Sequence, residues 1–493
     1  MRTQPFSIMH ISDLHRSPRD PITNDELISA LVHDRDRYLE EEPRIPAPEA
    51  IVVSGDIIQG VPLYTEDFAE KIEEQYSVAD EFLTELVHRF LSGDRSRLVM
   101  VPGNHDVDWN TAFSALEEVN AEDVPPDLRD ELYSEDSLLR WDWKNCKLYR
   151  IVDRELYANR LCAFWRFYDQ FYSDGIQPPT EQKLRDTRMF VLCEDRIGVA
   201  AYNSCHGNDC FAFHGMIEQG SIARSDLDLR DSGKVLDLRI AVWHHSIQGS
   251  PYRTDYMDVD VVRGMIGRGF RLGLHGHEHK ALATAQEIHL PDSEKMAVVS
   301  AGSLCAGSTD LPVGTHRQYN VLEIGRDFCS VRAHVRTMEV ANLFSPARLI
   351  EFGGISYVDL TWNLPRNAVG GQINTRSIRK MVFIEEAEKA AKTGKPERAV
   401  GILKSLNLTV GSYERELYLN AALDAKCWRG ILDVINPPTS INELVLRVTA
   451  YLQLDDPINA KKVLDSHSSS MRLPESLESD LRYRISVKEA LRR

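Results

Sequence analysis

No stretch of the sequence approaches the roughly 18 to 20 consecutive apolar residues that a membrane-crossing helix needs, and Met1 to Ile8 has no apolar core of a secretory signal. The expectation is a cytoplasmic chain with no membrane segment. Positive charge is also in short supply: 58 Lys and Arg stand against 75 Asp and Glu, for a net charge of −17. That balance opposes non-specific tracking along a polyanion, which depends on phosphate neutralisation by Lys and Arg. A local basic groove stays open, and bound divalent cations would offset acidity around a site. Cysteine is sparse and unpatterned. The eight cysteines run from Cys146 to Cys427, and the closest pair, Cys205 and Cys210, lacks the two-residue separation of common zinc or redox motifs. They read as reduced packing residues rather than a disulfide framework.

What is present is a repeated local grammar. With 493 residues, 43% of them apolar, the chain can bury a large core and is expected to form two or three domains. Phe6 to Ile11 is a short apolar run ending in Ser12-Asp13-Leu14-His15, and an extended segment would point Asp13 and His15 the same way. Apolar spacing predicts a helix over Asn24 to Glu41. Ala50 to Val53 is again β-like and ends in Ser54-Gly55-Asp56; a second amphipathic helix follows over Glu66 to Leu91. Leu98 to Val101 is the third β-prone run, stopped by Pro102-Gly103 before Asn104, His105 and Asp106. In α/β sheets, sites form at the carboxyl ends of strands, so these polar ends have a way to converge.

The pattern then dissolves, and residues 110–188 read as a helical, aromatic-rich cap insertion over the site. β-like runs resume at Met189 to Cys193 and Ile197 to Tyr202. Leu238 to Trp243 ends in His244-His245, and Phe270 to Leu274 ends in His275-Gly276-His277-Glu278-His279. Five of the sixteen histidines fall in these two clusters, which core histidines do not do. Further strands are expected at Met296 to Ser300, Tyr319 to Ile324 and Ser330 to Val335, the last with Arg332, His334 and Arg336 on a wet outer face. Periodicity weakens over 346–376, read as a linker. From 377 to 493 the chain is helical, and Leu403, Leu432 and Leu464 sit at matched places roughly 30 residues apart, near the period of a tetratricopeptide-like repeat.

Collected in order, Asp13-Leu14-His15, Gly55-Asp56, Gly103-Asn104-His105-Asp106, His244 and Gly276-His277-Glu278-His279 resemble the five blocks of the calcineurin-like metallophosphoesterase superfamily. The resemblance covers about residues 1–345 and implies an α/β (α+β) fold, a two-sheet β-sandwich flanked by helices, with an all-α helical-repeat domain after it. It implies two divalent metal ions, one on Asp13, His15, Asp56 and His279, the other on Asn104, His244 and His277 with Asp56 bridging. Mixed imidazole and carboxylate donors suit Mn, with Fe or Zn as alternatives, better than Ca or Mg. It further implies a hydroxide between the ions as nucleophile, with His105 stabilising charge or protonating the leaving group and Asp106 holding the other nitrogen of its ring. His244 is favoured over His245 as ligand, and His275 falls outside the motif.

The reaction class expected is phosphoester hydrolysis, with a phosphodiesterase favoured because His105 assists poor leaving groups. Two alternatives stand beside it. One is a Mn-dependent nuclease, using basic stretches such as Lys144 to Arg160 or Arg332 to Arg336 on nucleotide or nucleic acid. The other is an interaction or regulatory protein whose helical repeats recruit a protein partner or self-associate. No substrate-binding residue is identifiable.

Overall fold

The computed structural model describes residues 5–491 except 133–136, 174–175, 178–184, 248–254, 287–294, 308–310, 313–314, 341, 349–353, 363–382, 385, 388, 392–393, 407, 411, 472 and 474. Most of the expected linker, 363–376 included, lies outside the described residues. The chain separates into two compact units, the first holding the described residues up to Trp362 and the second those from Phe383 onward.

In the first unit, β1 (Phe6–Ile11), β2 (Ala50–Val53) and β3 (Leu98–Met100) pair in parallel, each buried along its whole length. The small sheet β4 (Leu116–Glu118), β5 (Leu139–Asp142) and β6 (Lys147–Ile151) follows, in order β4-β6-β5. A six-stranded sheet contains β7 (Thr187–Leu192), β8 (Ile197–Tyr202), β9 (Leu238–Val242), β10 (Leu272–His275), β11 (Leu282–Gln286) and β12 (Met296–Ser300), ordered β11-β12-β10-β9-β8-β7. Finally β13 (Arg317–Ile324), β14 (Ser330–Val340), β15 (Leu343–Pro346) and β16 (Tyr357–Thr361) complete the first sheet as β15-β14-β13-β1-β2-β3, with β16 also on β14. Both large sheets are mixed, and side chains from both share one core with the flanking helices, Ile8, Val52 and Val99 from one sheet and Val199, Ile240 and Leu272 from the other.

Two helices fix the spacing of the first three strands. Helix α1 (Asn24–Arg35) is shorter than expected; its start is set by Thr23, whose hydroxyl takes the Glu26 N–H while the Glu26 carboxylate returns to the Thr23 backbone. Helix α2 (Phe68–Leu91) buries Ile72, Tyr76, Ala79, Phe82, Leu83 and Leu86 on one stripe and ends at Ser92 in the left-handed region. Phe82 is fully buried, and its removal would cost about 3–5 kcal/mol.

The structure corrects two expectations. Residues 110–188 are not helical throughout: alongside helices such as Cys162–Phe171 they hold the β4-β6-β5 sheet, because Leu139 to Ile151 folds back on itself as a hairpin between aromatic side chains. The expected wet face of strand β14 is largely covered. His334 and Arg336 are 2% and 1% exposed, Arg336 being held against Asp34 and Glu41, and Arg332 stays partly exposed.

The second unit is helical, with helices Pro396–Leu403, Tyr413–Asp424, Trp428–Val434, Ile441–Gln453, Pro457–Met471 and Glu475–Leu491, each packed on its neighbour in sequence. Leu403 and Leu464 are fully buried in it and Leu432 partly so. Among the described residues no helix is long and apolar enough to cross a membrane.

Candidate metal centre

The carboxyl ends of β1, β2, β3, β9 and β10 abut. The His277 N–H donates to both carboxylate oxygens of Asp13 (3.2 and 3.1 Å), the Gly276 N–H to the His244 carbonyl (3.0 Å), and the Asp13 N–H to the Gly55 carbonyl (3.1 Å). Close approach is what the glycines permit: a Cβ at Gly55 would strike the His244 ring, and one at Gly103 would strike the Asp56 carboxylate.

Asp13 and His15 do not meet by strand alternation. Both lie past the end of β1 with φ of 51° and 45°, and Asp56, His277 and His279 are left-handed too, at 52°, 77° and 52°. Such backbone costs about 1–3 kcal/mol per residue and gathers where function requires it. Here it turns side chains from separate strand ends toward one place. Asp13, His15, Asp56 and His279 each offer an atom within 4.8 Å of the others. His15 Nε2 lies 3.2 Å from His279 Nε2, which is 3.2 Å from Asp13 Oδ1. Beside this set, Asn104 Oδ1 is 3.0 Å from both His244 Nε2 and His277 Nδ1, and Asp56 Oδ2 is 3.3 Å from His244 Nε2. Asp56 thus touches both groups.

The chemistry of these atoms fits divalent cations. His244 Nδ1 is 2.8 Å from the Ser54 carbonyl and carries its proton there, so a neutral His244 turns a lone pair toward Asn104, Asp56 and His277. Between the paired Nε2 atoms of His15 and His279 there is room for at most one proton. Buried lone pairs that converge in this way are stable only with positive charge among them. Burial opposes ionisation of Asp13 and Asp56, yet the charge of His279 holds Asp13 down and that of His244 holds Asp56 well below the carboxylate range. Burial lowers His15 to about 3, whereas for His244 the charge of Asp56 overcomes burial and raises it to about 9. The cluster attracts a cation or, lacking one, a proton.

His105 stands beside this group, its ring edge-on to His15 at 4.5 Å, and its backbone N–H donates to Asp56 Oδ1 (2.8 Å). Asp106 does not hold the His105 ring, contrary to expectation. It accepts from the Gly103 and Ile57 N–H groups (2.8 and 3.2 Å) and from the Tyr76 hydroxyl (3.1 Å), and His105 Nδ1 instead meets the Gln59 carbonyl at 2.6 Å. The turn over Asn104–Asp106 curls the carboxylate back onto its own loop, away from the imidazole. Burial and the nearby Asp56 charge raise Asp106 to about 7.

The other histidines take supporting places. His245 bonds to Ser204 Oγ (2.9 Å) and Asn208 Nδ2 (3.3 Å), and His275 stacks on Trp243 at 5.7 Å. His10, within β1, reaches Ser54 Oγ at 2.9 Å. One carboxylate at the cluster carried no sequence signal: Asp255 Oδ2 lies 3.5 Å from His277 Nε2, in a loop with no apolar run before it. The basic stretches are largely engaged in the fold. Arg336 is buried against Asp34 and Glu41, Arg332 pairs with Asp359 (2.6 Å), Arg160 donates to the backbone carbonyls of Asn208 and His206, and Lys147 pairs with Glu118 (2.6 Å).

The sequence model of the calcineurin-like phosphoesterase family matches residues 6–281. Among solved structures, the chain is similar to a dimetal phosphatase from Danio rerio (13% identity, 73% of this chain and 100% of that one, TM-score 0.35). It is also similar to GAP50, the anchor in the inner membrane complex of Plasmodium (10%, 77% and 95%, 0.35), and to the calcineurin-like phosphoesterase YfkN from Bacillus subtilis (11%, 73% and 91%, 0.28). No curated protein matches the sequence.

Proposed function

This chain belongs to the calcineurin-like phosphoesterase family, a family of phosphoester hydrolases with dinuclear metal sites, and we propose that it is a phosphodiesterase acting on small diesters. Asp13, His15, Asp56 and His279 would hold one divalent ion, and Asn104, His244 and His277 the other, with Asp56 shared. Manganese is the ion we favour, with iron or zinc as alternatives. When bound, such ions supply the Lewis acidity that makes water nucleophilic near neutral pH and draws charge from phosphoryl oxygens. The observation that supports this reading is the meeting of Asn104 Oδ1, His244 Nε2, His277 Nδ1 and Asp56 Oδ2 in a partly buried place.

His105 is the catalytic residue in this reading. The Gln59 carbonyl at Nδ1 keeps one proton there, which leaves Nε2 to take up a second and hand it to the departing oxygen. Assistance of this kind matters most where the departing group is an unactivated alkoxide. The engaged state of Arg160, Arg332 and Arg336 supports a small substrate over a long polynucleotide, because phosphate tracking needs uncommitted cations. Comparing bis(p-nitrophenyl) phosphate with p-nitrophenyl phosphate in the presence of Mn tests it: a higher kcat/KM for the diester is expected, and a faster monoester would sink the assignment.

For the helical unit we retain a tetratricopeptide-like repeat that recruits a protein partner or a second copy, supported by the packing of each helix on the next. A full chain that sediments as a monomer and a truncation at residue 376 with the same pull-down partners would exclude it.

A further inference from the structure

We propose that Asp255 is a positioning residue that sets the tautomer of His277. The inference rests on His277 being a ligand of the second ion. Its imidazole has two nitrogens with different surroundings: Nδ1 faces Asn104 Oδ1 at 3.0 Å and His244 Nε2 at 3.4 Å, while Nε2 faces Asp255 Oδ2 at 3.5 Å. A ligating nitrogen must present a bare lone pair, so the single proton of a neutral imidazole has to sit on the other one. Free imidazole has little preference between its two tautomers. A carboxylate at Nε2 adds to the modest preference a histidine side chain has for Nε2–H, since only Nε2–H meets it favourably, and Nδ1 is then bare on the side where the acceptors converge. The same carboxylate fixes the rotation of the ring about its own bonds.

The other groups around His277 among the described residues do not do this. Its backbone N–H is held by Asp13, which fixes the main chain and leaves the ring free to turn about its own bonds. His244 and His245 pack on the ring at 5.2 and 5.0 Å between centroids, which limits tilt but offers Nε2 no charge. Burial lowers the His245 pKa far below its ordinary value, so that neighbour is a neutral wall. Asp255 is three-quarters buried at the side chain (26% exposed), enough for its charge to be felt at 3.5 Å and too exposed for its loss to unmake the core.

The test is Mn(II) binding to the full chain by equilibrium dialysis with elemental analysis, for the unaltered protein, Asp255→Asn and Asp255→Ala. The expectation is two ions per chain in the unaltered protein. In the variants one ion should keep its affinity and the other weaken by about 10- to 100-fold, with Asn intermediate because its amide dipole still faces Nε2 without the charge. Thermal unfolding in EDTA controls for folding and should give the same Tm for all three. Two ions bound with unchanged affinity in both variants would overturn the proposal, as would equal weakening of both ions, because the pairing that carries it is with His277 of the second set. An unaltered protein that takes up fewer than two ions would defeat the two-ion reading itself, a result distinct from either of these.

Discussion

Asp34 and Asp56 are both buried aspartates against the first sheet, 0% and 1% exposed, and their surroundings differ in kind. Asp34, at the end of α1, is saturated with donors. Arg336 reaches both of its oxygens (2.6 and 2.8 Å), Arg37 a third time (2.9 Å), and the Tyr319 hydroxyl a fourth (2.5 Å), with Tyr38 behind Tyr319 at 2.7 Å. Every charge there is matched within the chain. Asp56 has one backbone donor, the His105 N–H, and otherwise faces imidazole nitrogens that themselves face other acceptors. Burial alone therefore says nothing of function; the balance of donors to acceptors does. A fold closes its structural polar clusters and leaves a functional one short of positive charge.

The contrast can be broken most forcefully at Asp34. Asp34→Ala strands the Arg336 guanidinium in the core and should cost about 3–5 kcal/mol in urea unfolding, with turnover per folded molecule unchanged. A loss below about 1 kcal/mol would mean that the network is not the closed cluster described. Asp56→Ala should act mainly on function: phosphoester turnover falls at least about 100-fold, while in EDTA it loses less stability than Asp34→Ala, because what goes is the pairing of Asp56 with His244. His105→Ala should lower turnover by about 100-fold with metal content intact by elemental analysis; loss of an ion would make His105 a ligand instead.

Smaller effects sharpen the same line. Free Mn at about ten times its Kd should stabilise the unaltered protein by roughly 1.4 kcal/mol for each ion bound, and the gain should vanish in Asp56→Ala but persist in a conservative Asp34→Asn. In the helical unit, burial would raise Glu443, but the Thr439 N–H and hydroxyl and the Arg415 guanidinium (2.9 Å) hold it below its ordinary value of 4.5. A carboxylate depressed on folding contributes stability above its unfolded pKa and loses it as pH falls through the folded one. Stability should therefore decline below about pH 4.5, less steeply in Glu443→Gln; equal slopes in urea titrations would remove Glu443 as the cause.

Much of the candidate site was legible because its residues lie in short windows at strand ends, where apolar runs and glycines mark the geometry locally. Asp13, Asp56, Asn104 and His277 could each be picked out without knowing what they face. Residues 110–188 were misread because aromatic spacing near Trp141 and Tyr149 suits a helix face as well as a hairpin. Arg336 was misread as wet because its partner Asp34 lies 302 positions away, and no window contains both. Asp106 was assigned to the nearest imidazole in sequence, when the tight turn sends it to its own backbone and Tyr76. Asp255 could not be found at all, since one aspartate in a polar loop looks like any other.

The sequence by itself determined the five strand ends, the donor types gathered on them and the helical character of the last hundred residues, because alternation, glycine placement and side-chain chemistry are local properties. Only the tertiary structure decided which nitrogen of each histidine faces inward, that left-handed backbone at five residues rather than strand alternation brings them together, and that Arg336 closes a core network while Asp255 stands at His277. Those outcomes depend on pairings between distant segments, where the energy of one contact is set by what the rest of the chain places beside it.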